Sequence, residues 1–134
     1  MNTLLLRRIK AHIQKIPQVK LAYLFGSRAR GDSVPMSDHD FAFYLDDRRP
    51  KEAFRIQCHL ANIISRELGS DHFDVVILDT LDATELKYRI VQEGKLFFER
   101  EPYRIVVEPL IMMEYEDFHN SLVRFGQTKA PLIV

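Results

Sequence analysis

At 134 residues the chain has room for one domain around a single hydrophobic core. An apolar share of 46% and a charged share of 28% argue against disorder and against a repeat array. The 19 basic side chains balance 19 acidic ones, which removes any global basic field for stable binding to nucleic acid or an anionic membrane. Basic residues cluster only locally, at Arg28 with Arg30 and at Arg48, Arg49 and Lys51.

The lone cysteine, Cys58, cannot form an internal disulfide and fits a reducing, cytoplasmic setting. It lies in an amphipathic stretch with Phe54 and Ile64, where a buried structural thiol is expected. No run approaches the roughly 20 apolar residues of a membrane helix. Leu4 to Leu6 is too short for a secretory core, and Arg7-Arg8 follows it rather than precedes it.

Leu5, Leu6, Ile9, Ile13 and Ile16 recur at helical steps and predict a helix over 3–16, ended by Pro17. Val19 to Phe25 reads as a strand, stopped by Gly26. A short helix over Ser27 to Arg30 and a loop over 32–37 follow. Asp38 to Leu45 is a second strand, with Phe41, Phe43 and Leu45 alternating against Asp40, Ala42 and Tyr44. A long helix is expected from Pro50 or Lys51 to Leu68, with proline in its tolerated first turn and Gly69 as its stop.

Phe73 to Leu78 is a third strand, Thr84 to Gln92 a helix closed by Gly94, and Lys95 to Phe98 a short fourth strand. Residues 101–124 read as helical, with a break or kink expected at Pro109, because an interior proline costs about 3 kcal/mol. Met112, Met113, Tyr115 and Phe118 are expected to pack on the domain's own core, with a partner-binding face as the alternative. Residues 125–134 read as a loose terminus. The alternation describes one mixed α/β domain, a sheet of about four strands with helices packed on it.

Chemistry concentrates between Leu24 and Tyr44. Gly26-Ser27 sits between a strand and a helix start, where backbone N–H groups and a hydroxyl can meet a phosphate. An ordinary turn reads the same way. Asp38 and Asp40, two apart on a strand, project from one face. Side by side they repel unless a cation lies between them, and Mg²⁺ takes such oxygen donors. A solvated strand end is the plain alternative. Asp74 opens the apolar run Val75 to Leu78, either as a third ligand or simply facing solvent.

Gly26-Ser27, ten residues, then Asp38-His39-Asp40, with a later strand aspartate, together resemble the polymerase β-like nucleotidyltransferase superfamily. Arg28-Ala29-Arg30-Gly31 and Ser37-Asp38 are similar to its minimal nucleotidyltransferase branch, whose members are often antitoxins of helical HEPN toxins. The resemblance covers about residues 19–99. Tyr115, Asp117 and Phe118 weakly resemble that branch's C-terminal helix.

The resemblance implies a nucleotidyltransferase that moves AMP from ATP, with two Mg²⁺ ions, to a hydroxyl of a partner protein. In that branch the acceptor is a tyrosine of the HEPN toxin. Asp38, Asp40 and Asp74 would hold the metals, with Asp74 taking the hydroxyl proton. Gly26 and Ser27 would cradle the β- and γ-phosphates. Arg28 and Arg30 would offset charge on the pyrophosphate, unless one of them pairs with Asp32 or Asp46. The alternatives are an antitoxin that masks its toxin by binding alone, and a small-molecule or antibiotic nucleotidyltransferase.

His39 replaces a residue that is often apolar in the family, and strand alternation points it away from Asp38 and Asp40 in a structural role. His12, His59 and His119 read as helix-surface residues, and Tyr88 and Tyr103 have no special setting. Arg66 and His72 match a loose HEPN ribonuclease spacing, but Gly69-Ser70-Asp71 breaks the helix that such a site needs.

Overall fold

The structure, a computed structural model, describes residues 2–26 and 39–124. Ser27, Arg28, Arg30 and Asp38, the expected short helix and loop between them, and residues 125–134 lie outside the described residues.

Helix α1 spans Thr3–Gln14, and Asn2 caps it by accepting the Leu4 N–H at 2.8 Å. Such a cap contributes about 1 kcal/mol. Strand β1 covers Leu21–Phe25 and β2 covers His39–Tyr44. Helix α2, Pro50–Leu68, starts on proline and ends at Gly69, whose φ of 67° is the left-handed cap that glycine takes without strain. Strand β3 is Phe73–Ile77, followed by a 3-10 turn at Leu78–Thr80. Helix α3 is Thr84–Glu93, β4 is Lys95–Glu99 and α4 is Tyr103–Arg124.

The strands form one mixed sheet in the order β3-β2-β1-β4. β1 is antiparallel to both β2 and β4, whereas β2 and β3 run parallel across the α2 crossover. Alternation then sends residues to two cores. On one face Ala22, Leu24, Phe41, Phe43 and Ile77 meet Ile9 and Ile13 of α1 and Ile56, Leu60 and Ile64 of α2. On the other, Leu21, Tyr23 and Ala42 meet Leu78, Ile90 of α3, and Val107 and Ile111 of α4. Each fully buried aliphatic side chain contributes about 1.5–3 kcal/mol.

Two polar ties complete the frame. Arg100 donates to the carbonyls of Val19 (2.9 Å), Gln14 (3.0 Å) and Ile16 (3.3 Å), so a charge at the end of β4 closes the C-terminus of α1. Asp79 accepts the N–H groups of Leu45 (2.8 Å) and Asp47 (3.0 Å), clamping the β2–α2 turn to the end of β3. Burial raises the Asp79 carboxyl above its ordinary pKa, against the pull of those N–H donors.

Three expectations need correction. Helix α4 runs through Pro109 without a break. Val107 and Ile111 are buried on either side of it, while Ile105, whose carbonyl loses its helical donor, is 76% exposed and open to water. Cys58 is exposed, because the buried stripe of α2 is Ala53, Ile56, Leu60 and Ile64 and position 58 turns away from it. Met113 and Phe118 are 59% and 43% exposed rather than packed in the core, although Tyr115 stacks on Tyr88 with ring centroids 3.9 Å apart. The surface reading of His12 holds, and its Nε2 lies 3.4 Å from Glu67 Oε1.

Candidate active site

Strand register places the acids. β1, β2 and β3 align Phe25 with Asp40 and Asp40 with Asp74 in a single row. Neighbouring strands lie about 4.8 Å apart, and registered residues of a parallel pair project from the same face. Asp40 and Asp74 therefore stand side by side on the face that also carries Ala42 and Val76. They occupy the end of that face, where β1 turns away at Gly26. Asp40 is partly buried and Asp74 exposed.

Gly26 has φ 87°, a backbone that side chains rarely tolerate. A β-carbon built there would collide with Asp40 Oδ2 and sit 3.3 Å from Asp40 Cγ. Glycine is thus favoured on two counts: the turn strains any side chain, and the Asp40 carboxylate would have to shift to admit one. Among the described residues, then, Gly26, Asp40 and Asp74 come together.

His39 opens β2 opposite Phe73 and shares the face of Phe41 and Phe43, away from the acids. Its N–H donates to the His72 carbonyl at 3.3 Å. Arg66 and His72 are both exposed and are separated by the end of α2.

Hard oxygen donors on adjacent strands suit Mg²⁺, which binds through one or two carboxylates and leaves positions for phosphate oxygens. Among the described residues no group of three or more His, Cys, Asp or Glu forms a cation cluster, and Asp38 is not among them. The pair Asp40 and Asp74 fits such an ion as part of a larger ligand set.

Sequence reasoning missed two supports. Gln57 Nε2 donates to the Val75 carbonyl at 2.7 Å, fixing the strand that carries Asp74. Tyr23, two residues along β1 from the acid row and on the same face, donates to Glu108 Oε2 at 2.6 Å and ties the sheet to α4. Burial, then the Glu108 carboxylate, hold the Tyr23 phenol well above its ordinary pKa. A half-buried helix glutamine and a strand tyrosine carry no local signature of such bonds. No helix among the described residues is long and apolar enough to cross a membrane.

Residues 7–103 match the family described as Polymerase beta, Nucleotidyltransferase. A protein adenylyltransferase MntA from Aphanizomenon flos-aquae (strain 2012/KM1/D3) is 33% identical over 95 residues, 65% of this chain. That alignment spans 61% of the relative's own length. The fold is shared with a toxin–antitoxin crystallised with AMP-PNP, at TM-score 0.73, 24% identity, and 95% and 97% coverage of this chain and that one. It is shared too with a complex of tri-AMPylated Shewanella oneidensis HEPN toxin and MNT antitoxin, at TM-score 0.65, 22% identity, and 91% and 96% coverage. With the family match spanning most of the sheet and both described aspartates, this chain belongs to the polymerase β nucleotidyltransferase family.

Proposed function

We propose that this chain, as one domain over 1–134 acting in the cytoplasm, transfers AMP from ATP to a tyrosine hydroxyl of a HEPN-family toxin and so works as its antitoxin. The observation that carries the reading is the registered pair Asp40 and Asp74 beside a glycine whose conformation and close approach to Asp40 disfavour any side chain. The name of the adenylyltransferase relative and the AMPylated toxin complex that shares the fold support the acceptor.

Asp38, Asp40 and Asp74 would hold two Mg²⁺ ions in this reading. When bound, those ions offset triphosphate charge and lower the pKa of the attacking hydroxyl. Asp74, exposed at the edge strand, would take the hydroxyl proton of the acceptor. The acceptor oxygen bonds to the α-phosphorus as the bond to pyrophosphate breaks. Gly26 and Ser27 offer backbone N–H groups and a hydroxyl to the β- and γ-phosphates, and Arg28 and Arg30 offset charge on the leaving pyrophosphate.

The test is label transfer from α-labelled ATP with Mg²⁺ to a purified HEPN-family partner. Asp40→Asn and Asp74→Asn should each lower transfer by about 10²–10⁴-fold. Labelling at the wild-type rate by both variants defeats the assignment. Variants that fail to label yet still neutralise the toxin in cells point to masking instead.

A further inference from the structure

Helix α4 is apolar on two sides. Inward, Val107 and Ile111 fill the second core. Outward, Ile105 (76%), Val106 (51%), Leu110 (58%) and Met113 (59%) are exposed. Steps of four and three align Val106, Leu110 and Met113 on one ridge, with Ile105 and Pro109 beside it. A contiguous apolar patch of this kind on a folded surface marks an interaction site.

Hollows flank the ridge on both sides. One, of about 270 Å³, is lined by Tyr44, Leu78, Lys87, Val107, Leu110 and Ile111. The other, of about 440 Å³, is lined by Val91, Gln92, Ile105, Glu108, Pro109 and Met112. A ridge between two grooves receives the side-chain rows of a second helix.

Charge selects the occupant. One turn past the ridge, Glu114, Glu116 and Asp117 stand exposed on the same helix. Arg104, in the second hollow, already faces Glu99 at 3.7 Å and Glu108 at 3.6 Å, and Arg48 lines the first hollow among Asp46, Asp47 and Asp79. Lys87 faces Glu114 at 3.5 Å. Around the ridge and its two hollows the acids Asp46, Asp47, Asp79, Glu108, Glu114, Glu116 and Asp117 outnumber the bases Arg48, Lys87 and Arg104, so a second copy would set one acid-rich surround against another, which disfavours it as the partner.

We propose that the outer face of α4 docks an α-helix of a different protein, one whose apolar stripe is bordered by Lys and Arg. The surface goes beyond the catalytic reading and rests on it only for the idea that this partner is the protein that receives AMP.

The experiment uses the full chain and a fluorescently labelled amphipathic Leu/Lys helical peptide, read by anisotropy. Saturable binding is expected, weakening with salt. Affinity should fall by about tenfold or more in Leu110→Gln/Met113→Gln, which leaves charge unchanged, and in Glu116→Lys/Asp117→Lys. A control peptide with Glu in place of Lys should not bind. Circular dichroism and Mg²⁺-dependent AMP transfer, measured on the same variants, separate this surface from the catalytic reading, since none of the four residues belongs to the acid site. The proposal is overturned if the peptide does not bind. It is also overturned if both double variants bind like wild type, or if sedimentation finds a homodimer that Leu110→Gln/Met113→Gln dissolves.

Discussion

The side-chain amide of Gln57 donates to the backbone carbonyl of Val75 at 2.7 Å, so helix α2 grips the edge strand one residue after Asp74. An edge strand has a neighbour on one side only, and this bond stands in for part of the missing one. Replacing Gln57 by Leu leaves a partly buried carbonyl unpaired and should cost about 1–3 kcal/mol in denaturant unfolding. Transfer of AMP should slow as Asp74 loses its fixed place, with ATP affinity unchanged. A lower melting temperature with an unaltered rate at room temperature would show that Gln57 serves stability alone.

Gly26→Ala tests the close approach to Asp40. The substitution adds a side chain at φ 87° and drives it into the carboxylate. Left-handed strain alone costs about 1–3 kcal/mol, and the displaced Asp40 should abolish AMP transfer. Thermal melting and the labelling assay together read both effects. Unchanged activity would mean that the turn opens freely away from the acid.

Asp79 is a structural carboxylate, to be told apart from the proposed catalytic pair by its variants. Asp79→Ala strips the acceptor from two N–H donors at the β2–α2 turn and should destabilise by about 2 kcal/mol. The surviving folded fraction should transfer AMP at the wild-type specific rate, a result read by active-site titration beside urea unfolding.

Alkaline stability should follow the tyrosines. Burial first, then the charges of Asp46 and Asp79, push the Tyr44 phenol from 10.0 to about 12. Tyr23 is raised as well, by burial and by Glu108. The unfolded chain releases these protons near pH 10 while the folded chain keeps them. Their stabilisation is therefore complete below pH 10; that of Tyr44 is lost as pH climbs through about 12, and that of Tyr23 goes on falling at higher pH. Unfolding free energy measured from pH 9 to 12 should decline, and Tyr44→Phe should flatten that decline. An identical slope in wild type and variant would contradict the shift.

The stacked rings of Tyr88 and Tyr115, 3.9 Å between centroids, join α3 to α4. A double-mutant cycle to Leu at both positions should return a coupling of about 0.5–1.5 kcal/mol. Zero coupling would mean that other contacts set the position of the helix.

What is local in cause was legible along the chain. Helix and strand periods, the proline at the start of α2, the glycine that ends it at Gly69 and the alternation of Phe41 and Phe43 against Asp40 all depend on neighbours a few residues away. Gly26-Ser27 followed by Asp38-His39-Asp40 was legible as a composite motif, and the family match over residues 7–103 bears out the kinship it suggested. Tertiary structure alone decided the rest. The pairing of Asp40 with Asp74 spans the whole α2 crossover, and parallel register is set by how that helix packs, which no short window encodes. Cys58 and Met113 turned outward because burial depends on which helix face meets the sheet, and Pro109 kept its helix because the lost bond falls on the wet side. Composition and period say what a segment can form. Only packing says what it faces.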